Sequence, residues 1–207
     1  MTSKFLNLHK EKQQRILNAA LNEFANKGFD RASTNEIVKS AGISKGLLFH
    51  YFNNKKELYL FLHEYFIEIL MKEFFTSEHF AERDVFERLK KIMISKSHLM
   101  KKYPEIFDFY MSAYIETSSE IKNELTSSHF DLMALSYSRI FENIDTSKFK
   151  EGIDMNKAID IISWTLEGYG NQVMSGVKGL RNSEADFTRE FAEADVYIDM
   201  LKRAFYK

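Results

Sequence analysis

The chain contains no cysteine and a single proline among its 207 residues. Without cysteine it can form neither a disulfide framework nor a thiolate zinc site, and a reducing compartment fits this composition. The first ten residues lack the apolar stretch of a signal peptide, and no apolar run approaches the ~18 residues that span a bilayer. We therefore expect a cytoplasmic protein without a membrane-inserted segment.

Glycine is also scarce, with eight in the whole chain, and no segment shows the polar–apolar alternation of a strand. This composition argues against a loop-rich β protein. Hydrophobic residues make up 44% and charged residues 29%, as in an ordinary soluble globular protein. The length suffices for one or two small domains with a sizeable core, and the recurring helical spacing predicts an all-α fold.

Signatures of catalysis and of metal binding are missing from the sequence. It has no Gly-rich phosphate loop, no Gly-x-Ser-x-Gly elbow and no His-Glu-x-x-His pair. The histidines His63, His79, His98 and His129 show no ligand-like spacing, and we expect them at the surface or satisfied in the core. We therefore expect no metal, no cofactor and no enzymatic activity.

Charge is distributed unevenly, although the net charge is only −1. Residues 1–60 hold ten Lys and Arg against five Asp and Glu, whereas the remainder holds 19 basic and 25 acidic residues. A basic N-terminal third suits a surface that meets phosphates, while chance clustering on a solvated surface is the plain alternative.

Local start and stop signals divide residues 33–62 into three short helices. The capping box Ser33–Glu36 predicts a helix that begins at about Thr34, and Gly42 can adopt the left-handed conformation that ends it. Ser44 can cap the next helix, and a second capping box at Asn54–Glu57 opens a third. A helix, a tight glycine-containing turn and another helix are typical of the DNA-binding helix-turn-helix.

The same segment resembles the TetR family of bacterial transcriptional regulators over roughly residues 10–62. The residues that carry the resemblance are Ala41-Gly42-Ile43-Ser44-Lys45-Gly46, Phe49-His50-Tyr51-Phe52, Lys55, Glu57 and Leu58, preceded by Ile16, Leu17, Ala19, Ala20, Phe24, Gly28 and Phe29. The resemblance implies residues 1–54 as a three-helix helix-turn-helix domain and residues 55–207 as a helical ligand-binding and dimerisation domain.

The candidate DNA contacts lie around the second helix of the motif. Free backbone amides at its start, near Ser44 and Lys45, attract phosphate, and Gly46 lets the backbone approach DNA closely. Phe49 could contact a thymine methyl group. The resemblance adds phosphate contacts at the starts of the flanking helices and places the second helix in the groove. The full candidate set is Thr34, Ser44, Lys45, Gly46, Phe49, His50, Tyr51 and Lys55. The plain alternative is an ordinary capped helix pair with a solvated Lys and His.

Helical periodicity continues beyond the motif. The third helix keeps its apolar period as far as Phe74, so we expect one continuous helix that connects the DNA-binding head to the rest of the chain. Further helices are predicted at about 85–99, from Pro104 to Tyr114, at 118–144, from Asp154 to Gly176 or Gly179, and from a capping box at Ser183–Asp186 to about Tyr206.

The last two helices carry apolar stripes at alternating spacings of three and four. These are Ile159, Ile162, Leu166, Tyr169 and Val173, then Phe187, Phe191, Ala194, Ile198, Leu201 and Phe205. Such stripes suit shallow-angle packing, as in a four-helix bundle built from two subunits, with Gly168 and Gly170 permitting close approach. An intramolecular core stripe would look the same. The resemblance favours a homodimer.

Aromatic residues in the second half are candidates for the lining of a small-molecule site. They are Tyr103, Phe107, Tyr110, Met111, Tyr114, Tyr137, Trp164 and Tyr169. Apolar sites with a few hydroxyls suit flat or fatty ligands. Core packing is the simpler explanation for any one of these residues, and the existence of a pocket is implied only by the resemblance. Trp164 lies off the Ile159–Val173 stripe, so we expect it to point into the body or its cavity.

Together these features predict a homodimeric repressor of TetR type. It would bind a palindromic double-stranded DNA operator and be released by a small apolar effector. One alternative is a helical small-molecule-binding protein or enzyme with a vestigial DNA-binding head. Another is a regulator that answers a protein partner or a redox signal, although the absence of cysteine disfavours a thiol switch.

Overall fold

The computed structural model describes residues 3–76, 78–176 and 187–207, and the predicted all-α fold is confirmed. In this part of the chain the only extended pairing is a single antiparallel bridge between Phe149 and Tyr206. The helices of these residues are α1 Ser3–Leu6, α2 Lys10–Arg31, α3 Thr34–Ala41, α4 Lys45–Phe52, α5 Lys55–Ile69, α6 Val85–Lys102, α7 Pro104–Tyr114, α8 Lys122–Phe141, α9 Met155–Gly176 and α10 Thr188–Phe205.

Most helix boundaries follow the local signals. Pro104 is the first residue of α7, where its missing N–H costs nothing. The Asp154 side chain accepts hydrogen bonds from the N–H groups of Asn156 and Lys157, at 3.0 and 3.2 Å, and so caps α9 as predicted. The predicted capping box Ser183–Asp186 and the alternative end at Gly179 lie outside the described residues.

The predicted continuous helix to Phe74 is wrong in its last part. The α-helical hydrogen bonding of α5 ends at Ile69, and residues Leu70–Phe74 form a turn of π-helix. This wider turn shifts the register by one residue, and Phe74 and Phe75 both contact the Phe80 ring, with centroids 5.8 and 5.9 Å apart. Hydrophobic periodicity in the sequence does not reveal such a local change, because the apolar residues continue through it.

The chain divides into two compact units. The head unit comprises Met1–Leu70 and Tyr103–His129, and the body unit comprises Met71–Lys102 and Phe130–Lys207. α7 therefore packs with the helix-turn-helix segment rather than with the remainder of the predicted second domain, mainly against α2. The functional division into residues 1–54 and 55–207 remains a prediction, since packing units and functional domains are different quantities.

The body unit has its own apolar core, formed where α6, α9 and α10 meet. Phe86, Ile162 and Ile198 are fully buried there, and Tyr206 closes the cluster. Ion pairs fasten α6 to α10, from Lys90 to Asp199 at 2.8 Å and from Lys202 to Glu87 at 2.6 Å.

This core overturns the predicted subunit seam. Ile162 and Ile198 are 0% exposed within one chain, and Leu166, Leu201 and Phe205 pack against the same cluster. The stripe is therefore intramolecular, because α6 occupies the place that the prediction gave to a second subunit. Gly168 and Gly170 do not serve close packing within the chain, since a Cβ at either would meet nothing within 4 Å.

Candidate nucleic-acid interface

The helix-turn-helix is built by the signals that predicted it. The Ser33 hydroxyl accepts the Glu36 N–H at 3.5 Å at the start of α3, and Gly42 ends that helix with φ of 65°. The Ser44 hydroxyl accepts the Leu47 N–H at 3.2 Å and so caps α4. The turn between the two helices therefore comprises only three residues, 42–44, and so short a connection restricts the orientation of α4 relative to α3.

One face of α4 is buried and the other faces solvent. Leu48 and Phe52 are 1% exposed and anchor the helix in the head unit. Gly46 and His50 lie on the opposite face and are exposed, and Lys45 is exposed at the start of the helix. The helical period therefore presents the start of α4 outward, where the amides that no helical carbonyl accepts are available to an anion.

The predicted DNA-contacting residues fall into three groups of exposure. Ser44, Lys45, Gly46 and His50 are exposed; Thr34, Phe49 and Lys55 are half-buried; Tyr51 is buried. The exposed residues lie at the start of α4 or on its outer side, and buried Tyr51 lies on its inner side. The Lys55 ammonium instead points toward α2. The Lys45 ammonium lies 5.9 Å from the centroid of the Phe49 ring, at the outer limit of a cation–π contact.

Two of these residues already have partners within the head unit. The Tyr51 ring contacts Phe5 and Phe52, so its role in the structure is to anchor α4. The Lys55 ammonium donates to the Asp30 carbonyl at 3.2 Å and lies 4.5 Å from the centroid of the Phe29 ring. Contacts of Tyr51 and Lys55 with DNA remain predictions, and Lys55 would have to share its donors with α2.

The sequence reasoning missed the part that α1 plays. Phe5 is 1% exposed and packs against Tyr51, Phe52 and Phe61, with ring centroids 4.9–6.1 Å apart. The Gln13 side-chain amide donates to the Leu6 and Leu8 carbonyls at 2.8 and 2.7 Å, holding the N-terminal turn against α2. The isolated apolar pair at positions 5 and 6 was the available signal, and it was too short to show periodicity.

The candidate ligand-lining residues separate into two sets. Tyr103, Phe107, Tyr110, Met111 and Tyr114 lie on α7 or immediately before it, in the head unit. Tyr110 stacks on Phe66 with centroids 4.0 Å apart, and Phe107 meets the same ring edge-on at 5.6 Å. Burial, with a smaller contribution from Tyr114, raises the pKa of Tyr110 to about 12.

The other three candidates lie in the body unit, and one prediction about them is wrong. Trp164 is 64% exposed, so it points away from the stripe as expected but toward solvent rather than into the body. Tyr137 is also exposed, and its ring contacts Phe141. The Tyr169 hydroxyl donates to the Glu190 carbonyl at 3.0 Å, which gives it a structural partner on the neighbouring segment.

Two of the histidines that we expected at the surface or satisfied in the core are buried. His63 and His79 are each 7% exposed. Burial lowers the pKa of His63, and the neighbouring His129 lowers it further. His129 contacts the Tyr114 ring at 5.1 Å, so a polar edge borders the aromatic residues of α7. Among the described residues, no three His, Cys, Asp or Glu side chains are placed to hold a metal ion.

Comparison with known proteins finds similarity to one family of regulators. Residues 16–61 match the family of bacterial regulatory proteins called the tetR family. A 136-residue segment is 27% identical to the uncharacterized HTH-type transcriptional regulator YerO of Bacillus subtilis, covering 58% of this chain and 47% of YerO. Over 117 residues, 26% are identical to IcaR of Staphylococcus epidermidis, the HTH-type negative transcriptional regulator of the biofilm operon icaADBC, covering 55% of this chain and 60% of IcaR. The chain thus spans about half the length of these curated relatives.

Solved structures extend the likeness to the whole fold. A TetR family transcriptional regulator from Chloroflexus aurantiacus superposes with a TM-score of 0.67 at 21% identity, covering 100% of this chain and 98% of that one. A putative TetR-family regulator from Mesorhizobium loti gives 0.65 at 16% identity, covering 95% and 98%. The helix-turn-helix segment therefore matches the tetR family model, and the chain shares the fold of solved TetR-family structures.

In residues 3–76, 78–176 and 187–207, no helix has both the length and the apolar character required to cross a bilayer.

Proposed function

We propose that this protein is a sequence-specific DNA-binding transcriptional regulator that acts as a repressor, as the names of two similar proteins describe those proteins. IcaR is a negative transcriptional regulator, and a 94-residue segment is 26% identical to the probable acrEF/envCD operon repressor of Escherichia coli. The observation that carries the proposal is the exposed start of α4, with Ser44, Lys45 and Gly46 on a helix anchored from behind.

The exposed face of α4 suits the major groove. A recognition helix enters that groove with its N-terminal residues against the base edges, and its free amides and positive end attract the phosphates. Lys45 supplies a cation there, and His50, one turn after Gly46 on the exposed face, has a donor and an acceptor for base edges.

A second copy of the chain would provide the second recognition helix. Two such helices reach successive major grooves when they lie about 34–36 Å apart, and they read a palindromic operator. Beside the α9–α10 core, the described residues of the body unit leave an apolar face uncovered. On α9, Ile161 is 43% and Trp164 64% exposed; on α10, Val196 is 49% and Met200 55% exposed.

This face, which we call the α9–α10 face, replaces the seam predicted from periodicity. Its residues recur at intervals of three and four on two helices that pack against each other. Gly168 and Ala192 lie on the same exposed sides and would allow the backbones of two copies to approach closely. Large exposed apolar patches mark interaction sites, and a symmetric pair of these helices makes a four-helix bundle.

The regulating signal is proposed to be a small apolar molecule that contacts the aromatic residues of α7. Phe107 and Tyr110 lie with Phe66 in one aromatic group, and the His63–His129 pair borders it with polar groups. A ligand that favours a different arrangement of α7 would shift the protein away from the DNA-binding state. Such a regulator would act in the cytoplasm, where its operator lies.

The DNA contact is tested by salt-dependent binding to an operator selected from a random pool. Lys45→Ala should weaken binding to specific and nonspecific DNA alike and reduce the salt slope of the dimer by about two, because it removes one phosphate contact from each copy. His50→Ala should change sequence preference more than overall affinity.

Lys101→Ala provides the matched control, since Lys101 is an exposed lysine at the end of α6 in the body unit. It should leave both the affinity and the salt slope unchanged. Equal affinity and slope for wild type and Lys45→Ala would remove the start of α4 from the interface.

A further inference from the structure

The loop after α7 forms hydrogen bonds with α2, the helix that precedes the helix-turn-helix. Gly28 interrupts α2 with φ of 67° and ψ of −179°, so the Phe29 N–H loses its helical acceptor. That N–H donates instead to Glu116 Oε2 at 2.7 Å, across 87 residues of sequence. A Cβ on Gly28 would lie 3.0 Å from the same oxygen. Glycine is therefore required by the backbone conformation, and a Cβ would also crowd the carboxylate.

The Glu116 carboxylate is oriented by its own loop. Its other oxygen, Oε1, accepts the N–H groups of Thr117 and Ser118 at 2.8 and 3.0 Å. The Ser118 side chain is buried, and its hydroxyl donates to Asp30 Oδ1 at 2.7 Å. The loop after α7 therefore holds two consecutive residues of α2, and its own amides orient the carboxylate that accepts the Phe29 N–H.

The same loop also holds the start of α5. The Lys56 ammonium donates to the Glu120 carbonyl at 2.6 Å and pairs with Glu124 at the same distance. Lys55, its neighbour, donates to the carbonyls of Asp30 and Ala32 at the end of α2. The end of α2, the start of α5 and the loop 115–121 thus form one polar network, which we call the α2 latch.

The position of the α2 latch makes it relevant to DNA binding. α3 begins at Thr34, three residues after α2 ends at Arg31, and α4 follows through a three-residue turn. A shift of residues 28–32 would therefore move α3 and α4 together. The Glu116 charge also acts on the core. Burial raises the pKa of Tyr59, whose ring packs on Phe29, and the Glu116 carboxylate raises it further.

We propose that Glu116 is a positioning residue for DNA recognition: by holding the Phe29 N–H at the Gly28 break, it sets the placement of the helix-turn-helix that a specific site requires. Glu116 lies outside the matched family segment of residues 16–61 and needs no contact with DNA. The inference rests on the proposed function, because it concerns how well the recognition helix fits its operator. Nonspecific binding depends on phosphate charge rather than on fit, and it should not require the latch.

The test compares specific with nonspecific affinity in the full chain. Glu116→Ala should weaken binding to the selected operator tenfold or more and leave binding to a scrambled duplex within twofold. Glu116→Gln keeps one acceptor oxygen, so it can serve Phe29 or the loop amides but not both, and its loss should be intermediate. Glu105→Ala is the matched control, an exposed glutamate in the first turn of α7, and both of its affinities should equal those of wild type.

Amide hydrogen exchange provides a readout that is independent of DNA. In Glu116→Ala the Phe29 amide should exchange at least tenfold faster, while the amide of Ile162 in the core of the body unit should keep its rate. Unchanged Phe29 exchange would refute the latch itself. An equal loss of specific and nonspecific affinity would refute positioning and indicate general destabilisation. A wild-type chain that prefers no sequence would refute the proposed function, an outcome that the exchange rates of Phe29 distinguish from a failed latch.

Discussion

Removal of Trp164 tests the proposed subunit interface most sharply, because it is the only tryptophan and the most exposed residue of the α9–α10 face. The variant is Trp164→Ala. Since the side chain is exposed in the single chain, its loss should leave the fold of each protomer intact and act on association alone. A core substitution such as Ile198→Ala should behave in the opposite way and cost about 2–5 kcal/mol of folding stability.

The expected magnitude follows from area. A tryptophan side chain offers about 200 Å² of surface, of which 64%, or about 130 Å², is exposed here. At ~25 cal/mol per Å², full burial against a partner contributes about 3 kcal/mol per protomer and about 6 kcal/mol per symmetric dimer. Partial coverage reduces this value, so we expect Trp164→Ala to raise the dimer Kd by at least about 100-fold.

Sedimentation velocity over a dilution series measures the dimer Kd directly. Tryptophan fluorescence provides a second measure in the wild type, because emission should shift to the red as the dimer dissociates and the indole meets water. Met133→Ala is the matched control, since Met133 is an exposed apolar residue of α8 that lies outside the α9–α10 face. A Trp164→Ala variant that dimerises with the wild-type Kd would show that subunits meet elsewhere, and a monomeric wild type would remove the interface altogether.

Two further predictions concern the stability of the fold. The buried Arg88 guanidinium donates to three carbonyls at and just beyond the end of α8, so Arg88→Met should lower the free energy of unfolding in urea by about 2–4 kcal/mol. Lys91→Met, at a half-exposed ion pair, should change it by under about 1 kcal/mol. Equal effects of the two substitutions would contradict the role of Arg88 in capping α8. Because burial and His129 lower the pKa of His63, the unfolded chain binds the proton first, and stability should decline as pH falls below about 6.5. His63→Leu should flatten part of that decline in thermal melts between pH 7.5 and 5, and an unchanged slope would mean that His63 is solvated in the folded state.

Features that depend on nearby residues were predictable from the sequence. Ser33, Gly42 and Ser44 act within three or four residues of their partners, so their side chains and backbone preferences define the helix-turn-helix almost unaided. The buried side of α4 was equally predictable from the sequence, because the spacing of Leu48 and Phe52 alone indicates it. The candidate site is therefore predictable without knowledge of what packs around it.

Features that depend on distant residues were not predictable. The stripe through Ile198 correctly showed a buried face, but periodicity carries no information on whether α6 of the same chain or a second subunit covers it. Trp164 was assigned to the body because it lies off the Ile159–Val173 stripe, but its exposure depends on what packs nearby, which periodicity does not show. The contact between Glu116 and Phe29 joins two ordinary residues and leaves no pattern in the sequence.

Selection of binding sites from a random DNA pool, followed by footprinting of the enriched sequence, tests the central claim most directly. The account predicts enrichment of an inverted repeat whose half-sites lie about one helical turn apart, with protection of both half-sites by two copies of the chain. Enrichment should be lost when Lys45 and His50 are both replaced by alanine. A wild-type protein that enriches no sequence, and binds selected and scrambled duplexes equally at physiological salt, would contradict the proposal that this chain is a sequence-specific regulator.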